Sequence, residues 1–468
     1  MALLAVAPLF LFPYCGAVWT VRALLWLSFS VAVWMIAEPS RRREEMPHEA
    51  RARVMTAVVT DPLFWLSLLL IVIAVVRWMN GGVGMAYDAE TAVWSLTPPG
   101  LPFLPGGTDD AGALPFATMV AVAVLMQAAR HALGKSARVC FLYSAAFLAG
   151  GAAVSAMIAC LEGHRTALAL AACPMTDATF AGSAFGLFLM GSMIALVGSF
   201  ERKWMRALPL LFVAVGGCGL GLYLFSPDYV TVVFGVGTVL TLVMSLVYAH
   251  RRVGGLVVPK CLVFLLLAAI PPVLLVMGAV PPELTAGKFA FLTQEGVKFV
   301  PEGFLEAREA LSAIAARVWH EHPWLGTGLG SFALDIRFGA SESDWALFPS
   351  AQVGALNGWW QFLAERGITG ALLFLAPLGF MLWTYLMRAT AAVKDMFAGS
   401  HAATQVLSIH PVCYLGVFAI AVTAVSAFVD HSFWRPEVTM AVAAMFAMAG
   451  SAFPVARQQT EEGSETEK

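Results

Sequence analysis

Runs of about 20 apolar residues follow one another along most of this chain, parted by short polar loops, and they limit its fold more than any other feature. A helix of that length crosses the hydrocarbon core of a bilayer and satisfies its backbone hydrogen bonds internally. Such runs lie near 3–19, 21–38, 61–79, 113–129, 139–160, 181–199, 206–225, 229–249, 261–280, 366–387, 405–428 and 438–455. They predict an all-α integral membrane protein with about 12 transmembrane helices. Composition agrees: 59% of the residues are hydrophobic and 12% charged, where soluble domains carry roughly 25% charge. The first run has no basic residue before it and leads into further apolar sequence, the pattern of a span and not of a cleaved leader.

Loop charge sets orientation in such a chain, and net charge does not. Arg41, Arg42, Arg43, Arg51 and Arg53 follow the second run; Arg130, Lys135 and Arg138 follow the fourth. Arg202, Lys203 and Arg206 follow the sixth, Arg251, Arg252 and Lys260 the eighth, and Arg388 with Lys394 the tenth. The alternate loops are poor in both residues: 80–112 has none, 161–180 has only Arg165, and 429–437 only Arg435. The positive-inside bias therefore predicts that both termini are cytoplasmic. It leaves one long external loop, 281–352, before the tenth span. The expected organisation is spans one to nine over 1–280, that loop, a membrane-returning segment with three spans over 353–455, and a disordered polar tail at 456–468. Loop 80–112, with its TPPGLPFLPGG, reads as an irregular external lid or wall.

The seven cysteines show no metal-ligand spacing and mostly sit in apolar runs, as small buried hydrophobes do. Cys160 and Cys173 flank one external loop and pair only if that side is oxidising and the geometry allows. Nothing calls for a metal, another cofactor or nucleic acid.

The polar chemistry is concentrated at 304–370. At 100° per residue, Phe304, Leu305, Leu311, Ile314, Ala315, Val318 and Trp319 share one face of a helix over 304–322, and Glu306, Glu309, Arg317, His320 and Glu321 the other. Arg308 sits within the apolar face. Either it snorkels or pairs internally, or its guanidinium fork is aimed at a phosphate or carboxylate. Pro323 ends the helix, and Gly326, Gly328 and Gly330 permit close approach or positive φ.

This pattern resembles the O-antigen ligase and O-antigen polymerase superfamily. The residues that carry the likeness are Arg308 on its helix, the H-P-W-L-G-T-G turn from His322 to Gly328 with Phe332, and Asn357 followed by Gly367 and Gly370 in LAERGITG. Thr176–Gly182, and Asp430-His431 with Pro436, are fainter matches. The resemblance implies a metal-independent inner-membrane glycosyltransferase with a periplasmic site. It would take a glycan from a polyprenyl-diphosphate carrier and pass it to a lipid or glycan acceptor. Arg308 would contact the diphosphate, with Arg165, Asn357, Gly326, Gly328 and Arg366 as further substrate contacts. His322 or His431 would serve as base. Family ligases carry a histidine just before the position of Asn357, where this chain has Leu356. Other readings stay open: Arg165 as a surface residue, His322 as a helix-end residue, Glu365 and Arg366 as surface or capping groups. At the level of function the rivals are a twelve-span transporter and an inactive member of the superfamily. Pro271-Pro272 in the ninth run is the clearest expected helix break.

Overall fold

Apolar chain hides its backbone from lipid by coiling into helix, and 83% of the described residues are helical. The structure is a computed structural model. It describes residues 17–37, 39, 45–88, 90, 93–97, 100–101, 106–107, 113–132, 143, 146–147, 149–151, 181–224, 226, 228–254, 256–278, 304–328, 330–341, 354–355, 357–397, 411–428, 439, 442 and 445.

The chain begins with helices α1 (Ala17–Ala37), α2 (Pro47–Thr60) and α3 (Pro62–Met79), followed by strands β1 (Gly84–Asp88) and β2 (Val93–Thr97). Helix α4 (Ala113–Gln127) runs into a π-turn at Ala128–Ala132. Then come α5 (Ala181–Glu201), α6 (Leu208–Leu224), α7 (Asp228–Val253) and α8 (Val257–Gly278). The last are α9 (Phe304–Glu321), α10 (Phe332–Gly339), α11 (Gly358–Phe397) and α12 (Pro411–Ser426).

Among the described residues, 5 helical stretches are long and apolar enough to cross a membrane: Pro62–Met79, Ser183–Glu201, Met205–Tyr223, Tyr229–Val253 and Val257–Leu274. Leu24–Ala37, Phe116–Ala132 and Tyr414–Ser426 are apolar but shorter. The expected span at 366–387 falls within α11; those at 3–19, 139–160 and 438–455 fall mostly outside the described residues.

Helix α5 is the centre of the bundle, packed by α6, α7, α8 and α12. Its Leu187, Met190 and Leu196 join Cys218, Phe234 and Leu415 in the largest core. Small residues let these helices approach closely, as membrane packing requires. A Cβ on Gly186 would lie 2.6 Å from Cγ of Phe234. A Cβ on Gly217 would lie 2.6 Å from Cα of Gly150, so two backbones touch there. Outward-facing Leu69, Val72, Val239, Val243, Leu266 and Leu274 are exposed apolar side chains suited to lipid.

Three local expectations are corrected. The basic loop after α1 holds a helix, α2, because Ala50, Val54 and Val58 recur every fourth residue and are buried. Asp61 ends that helix and starts the next: one oxygen accepts from the Leu63 amide at 3.1 Å, the other from Arg130 Nε at 2.9 Å. His131 Nε2 is also 2.9 Å away, which ties the corner to the π-turn. Loop 80–112 contains an antiparallel hairpin, a departure from an all-α chain. Finally, helix α8 continues through Pro271 and Pro272. Pro272 cannot donate to the Ala268 carbonyl, and Gly216 of α6 packs against that oxygen, with a Cβ there only 3.1 Å away.

The close crossings make a paired test. Gly217→Ala should cost on the order of 2 kcal/mol by overpacking. Gly219→Ala, whose Cβ meets nothing within 4 Å, should leave stability unchanged or slightly raised. Melting of the purified variants in detergent reads the difference, and equal melting points would remove the backbone-contact account.

Candidate functional site

The segments at 322–328 and 363–370 meet. Helix α11 breaks at Gly367, which has φ 65° and ψ −176°. Had the helix continued, the Ile368 and Thr369 amides would donate to the carbonyls of Ala364 and Glu365. Instead Ile368 donates to the Pro323 carbonyl at 2.8 Å and Thr369 to that of Trp324 at 3.1 Å. The abandoned carbonyls accept from the turn in return: Ala364 from the Thr327 amide and Glu365 from the Gly328 amide, both at 3.0 Å. Gly326 has φ 69°, and a Cβ there would lie 2.5 Å from the Arg366 amide nitrogen. Gly328 packs just as closely against Gly106 in the loop after the hairpin. Gly326 and Gly328 thus serve backbone approach between protein segments.

Charge is buried at this junction. Glu365 is 2% exposed and Arg366 7% exposed, which overturns the surface reading of both. Glu365 accepts from Gln361 Nε2 at 3.1 Å and from the Gly330 amide. Arg366 lies over the rings of Phe362 and Phe374, 4.9 and 5.7 Å from their centroids, a cation–π arrangement. Arg77, buried near the end of α3, donates to the Leu325 carbonyl at 3.2 Å and faces Glu365 electrostatically. From α10, buried Asp335 accepts from the Thr327 hydroxyl at 3.1 Å, and that hydroxyl is 2.6 Å from Ser331 Oγ. Burial pushes the Glu365 carboxyl up to about 7, against the pull of Gln361, Gly330 and Arg366. It pushes Asp335 up to about 6, against Thr327, Ser331 and His322.

Arg308 lies across α9 from the solvated face. Helix α9 buries Ala307, Leu311, Ile314, Ala315 and Val318 and packs on α11, as its periodicity predicts. Nη2 of Arg308 donates to the Phe428 carbonyl at 2.5 Å, while its buried Nε has no hydrogen-bond partner among the described residues. Phe428 follows α12, whose end also receives the Gly358 amide at 2.8 Å from the Ala427 carbonyl and the Trp359 indole at 3.2 Å from that of Ala424. Arg308 therefore caps a helix C-terminus, where a cation is favoured. Among the described residues it makes no ion pair.

Asn357 is buried and caps α11: its side-chain oxygen accepts from the Trp359 and Trp360 amides at 3.2 and 3.3 Å. His322 is exposed, and its carbonyl accepts from the Gly326 amide at 3.0 Å, the helix-end role. Arg165, His431 and Leu356 lie outside the described residues. Sequence reasoning passed over Arg77 and Asp335. Arg77 carried a signal, being ionisable within an apolar span; Asp335 carried none.

No protein-family model matches the sequence, and no curated protein matches it.

A carboxyl that burial has made a weaker acid favours folding at low pH. Its contribution is complete below the unfolded value near 4.5 and lost as pH rises through about 7. Asp335 acts in the same direction between 3.8 and about 6. Stability should therefore fall between pH 5 and pH 8, by on the order of 3 kcal/mol for Glu365. Glu365→Gln should flatten that slope. A melting temperature independent of pH in wild type would refute the assignment.

Proposed function

We propose that this protein is an inner-membrane glycan transferase of the O-antigen ligase or polymerase type. In this reading it lies with both termini in the cytoplasm and its site on the periplasmic side. It moves a glycan from a polyprenyl-diphosphate carrier to a lipid or glycan acceptor. The acceptor oxygen bonds to the anomeric carbon as the bond to the diphosphate oxygen breaks, and the hydroxyl proton passes to a base or to water.

The observation that carries the reading is the buried Nε of Arg308, which has no partner among the described residues. Arg308 is half-buried, yet its Nε is a buried donor left unmet, which is costly, and a diphosphate oxygen bound there would meet it by a charge-assisted bond. Negative charge grows on the leaving group in the transition state, where a guanidinium held in place is worth most. The meeting of the 322–328 turn with the 363–370 segment gives further support, since both carry the likeness to the superfamily. Asn357, Gly326, Gly328 and Arg366 act in this scheme by holding the site's frame. Glu365 has a proton affinity suited to a base near neutrality, but it is buried and bonded to Gln361 and Gly330. We give it a positioning role.

One observation favours a rival. A broken helix beside buried Arg77, Glu365 and Arg366 is also how transporters bind solutes.

A reconstituted assay with a polyprenyl-diphosphate glycan separates the readings. Arg308→Ala should lose about 10²-fold or more in turnover. Arg308→Lys should recover little, because an ammonium lacks the fork. Both variants should melt within a few degrees of wild type. Full activity in Arg308→Ala would end the diphosphate assignment. Glycan movement across vesicles without transfer to any acceptor would establish the transporter.

A further inference from the structure

The hairpin of β1 and β2 has two unlike faces. Its register sets Tyr87 opposite Trp94 and Ala86 opposite Ser95. Alternation along each strand puts Met85, Tyr87 and Trp94 on one side. Ala86, Asp88, Ser95 and Thr97 share the other, with Val93 near the tip. The two rings are 5.1 Å apart, yet Tyr87 is 52% and Trp94 55% exposed, so the pair covers itself only in part.

The place of the hairpin says what covers the rest. It starts five residues past the end of α3, a helix whose Val72, Val76 and Trp78 are exposed and whose last residue, Met79, is 82% exposed. Asn80 clamps the hairpin's return at that end: its side chain donates to the Leu101 carbonyl at 3.1 Å and accepts from the Leu101 amide at 2.7 Å. The Thr97 hydroxyl donates to the Gly82 carbonyl at 3.0 Å and accepts from the Gly84 amide at 2.8 Å. A five-residue strand reaches only about 17 Å, so the whole hairpin stays near the level where α3 leaves the lipid. Tyrosine and tryptophan concentrate at that level, ring in the apolar edge and polar atom in the headgroups. Exposed Asp88 and Glu90 suit the wet side of such a boundary and oppose deeper insertion.

We propose that the β1–β2 hairpin is a membrane-contacting foot, lying on the bilayer with Tyr87 and Trp94 in the interfacial layer and Ser95 turned to water. The partner is the phospholipid bilayer, continuous with the lipid-facing surface of α3. The foot is joined to the 322–328 turn, because the Val83 amide donates to the Gly107 carbonyl at 3.3 Å and Gly106 packs against Gly328. The proposal stands whether or not the chain transfers glycans.

Photo-cross-linking tests it directly. p-Benzoylphenylalanine is placed at Trp94, at Ser95 or at Val72, the last as a lipid-facing control within α3. Each protein is irradiated in phosphatidylethanolamine–phosphatidylglycerol vesicles, and adducts are mapped by mass spectrometry. Phospholipid adducts are expected at 94 and 72, with a yield about fivefold lower or less at 95, since only one hairpin face meets lipid. No lipid adduct at 94 while 72 reacts, equal yields at 94 and 95, or a cross-link from 94 to protein would each overturn the proposal. If the probe at 94 impairs folding, the same probe at Tyr87 reads the same face with the same outcomes.

Discussion

Four hydrogen bonds exchanged at one glycine hold this structure's polar end together. When α11 breaks at Gly367, two carbonyls and two amides lose their partners inside a largely apolar protein. Each unmet group there would cost several kcal/mol. The 322–328 turn meets all four: its Thr327 and Gly328 amides donate to the two carbonyls, and its Pro323 and Trp324 carbonyls accept from the two amides. The break and the turn are therefore one unit: neither conformation is stable without the other. Glycine is required on both sides, because a Cβ at Gly326 or Gly367 would strike the opposite strand of the exchange.

Several of the charged groups near the site bond to that unit or to the residues just after it. The Thr327 hydroxyl leads to Asp335, the Leu325 carbonyl takes Arg77, and the Gly330 amide reaches Glu365. Carboxylates and guanidinium groups buried together are a poor source of stability, since desolvation consumes most of the attraction. Their use is to fix one arrangement, and that arrangement holds α9 and α10 against α11. Arg308 extends the frame to α12 through the Phe428 carbonyl.

What the sequence revealed divides along physical lines. Apolar runs such as 229–249 and 261–280 were legible because lipid-facing and core-facing positions are both apolar in a membrane bundle. Helix α9 was legible because its period of buried Leu311, Ala315 and Val318 is local. The exchange at Gly367 was not legible, since its positive φ comes from docking a segment some 40 residues upstream. Pro271-Pro272 misled in the opposite direction, because the carbonyl that proline abandons is covered by a glycine on another helix. The hairpin was hidden by the prolines that follow it, though the spacing of Tyr87 and Trp94 was in view. Glu365 and Asp335 gain their character only from tertiary burial.

Helix α5 carries a consequence for how the protein is made. Its neighbours in the bundle, α6, α7, α8 and α12, all follow it in the chain. As synthesis proceeds, it leaves the insertion machinery before those four helices exist, when only earlier segments can touch it, such as the one whose Tyr143 hydroxyl donates to the Ala195 carbonyl at 2.7 Å. Its serines are prepared for that wait: Ser192 and Ser199 each donate to the carbonyl four residues earlier, at 2.7 and 2.8 Å. Those bonds need no second helix, so the segment can rest in a bilayer with these two hydroxyls already satisfied until its later partners arrive.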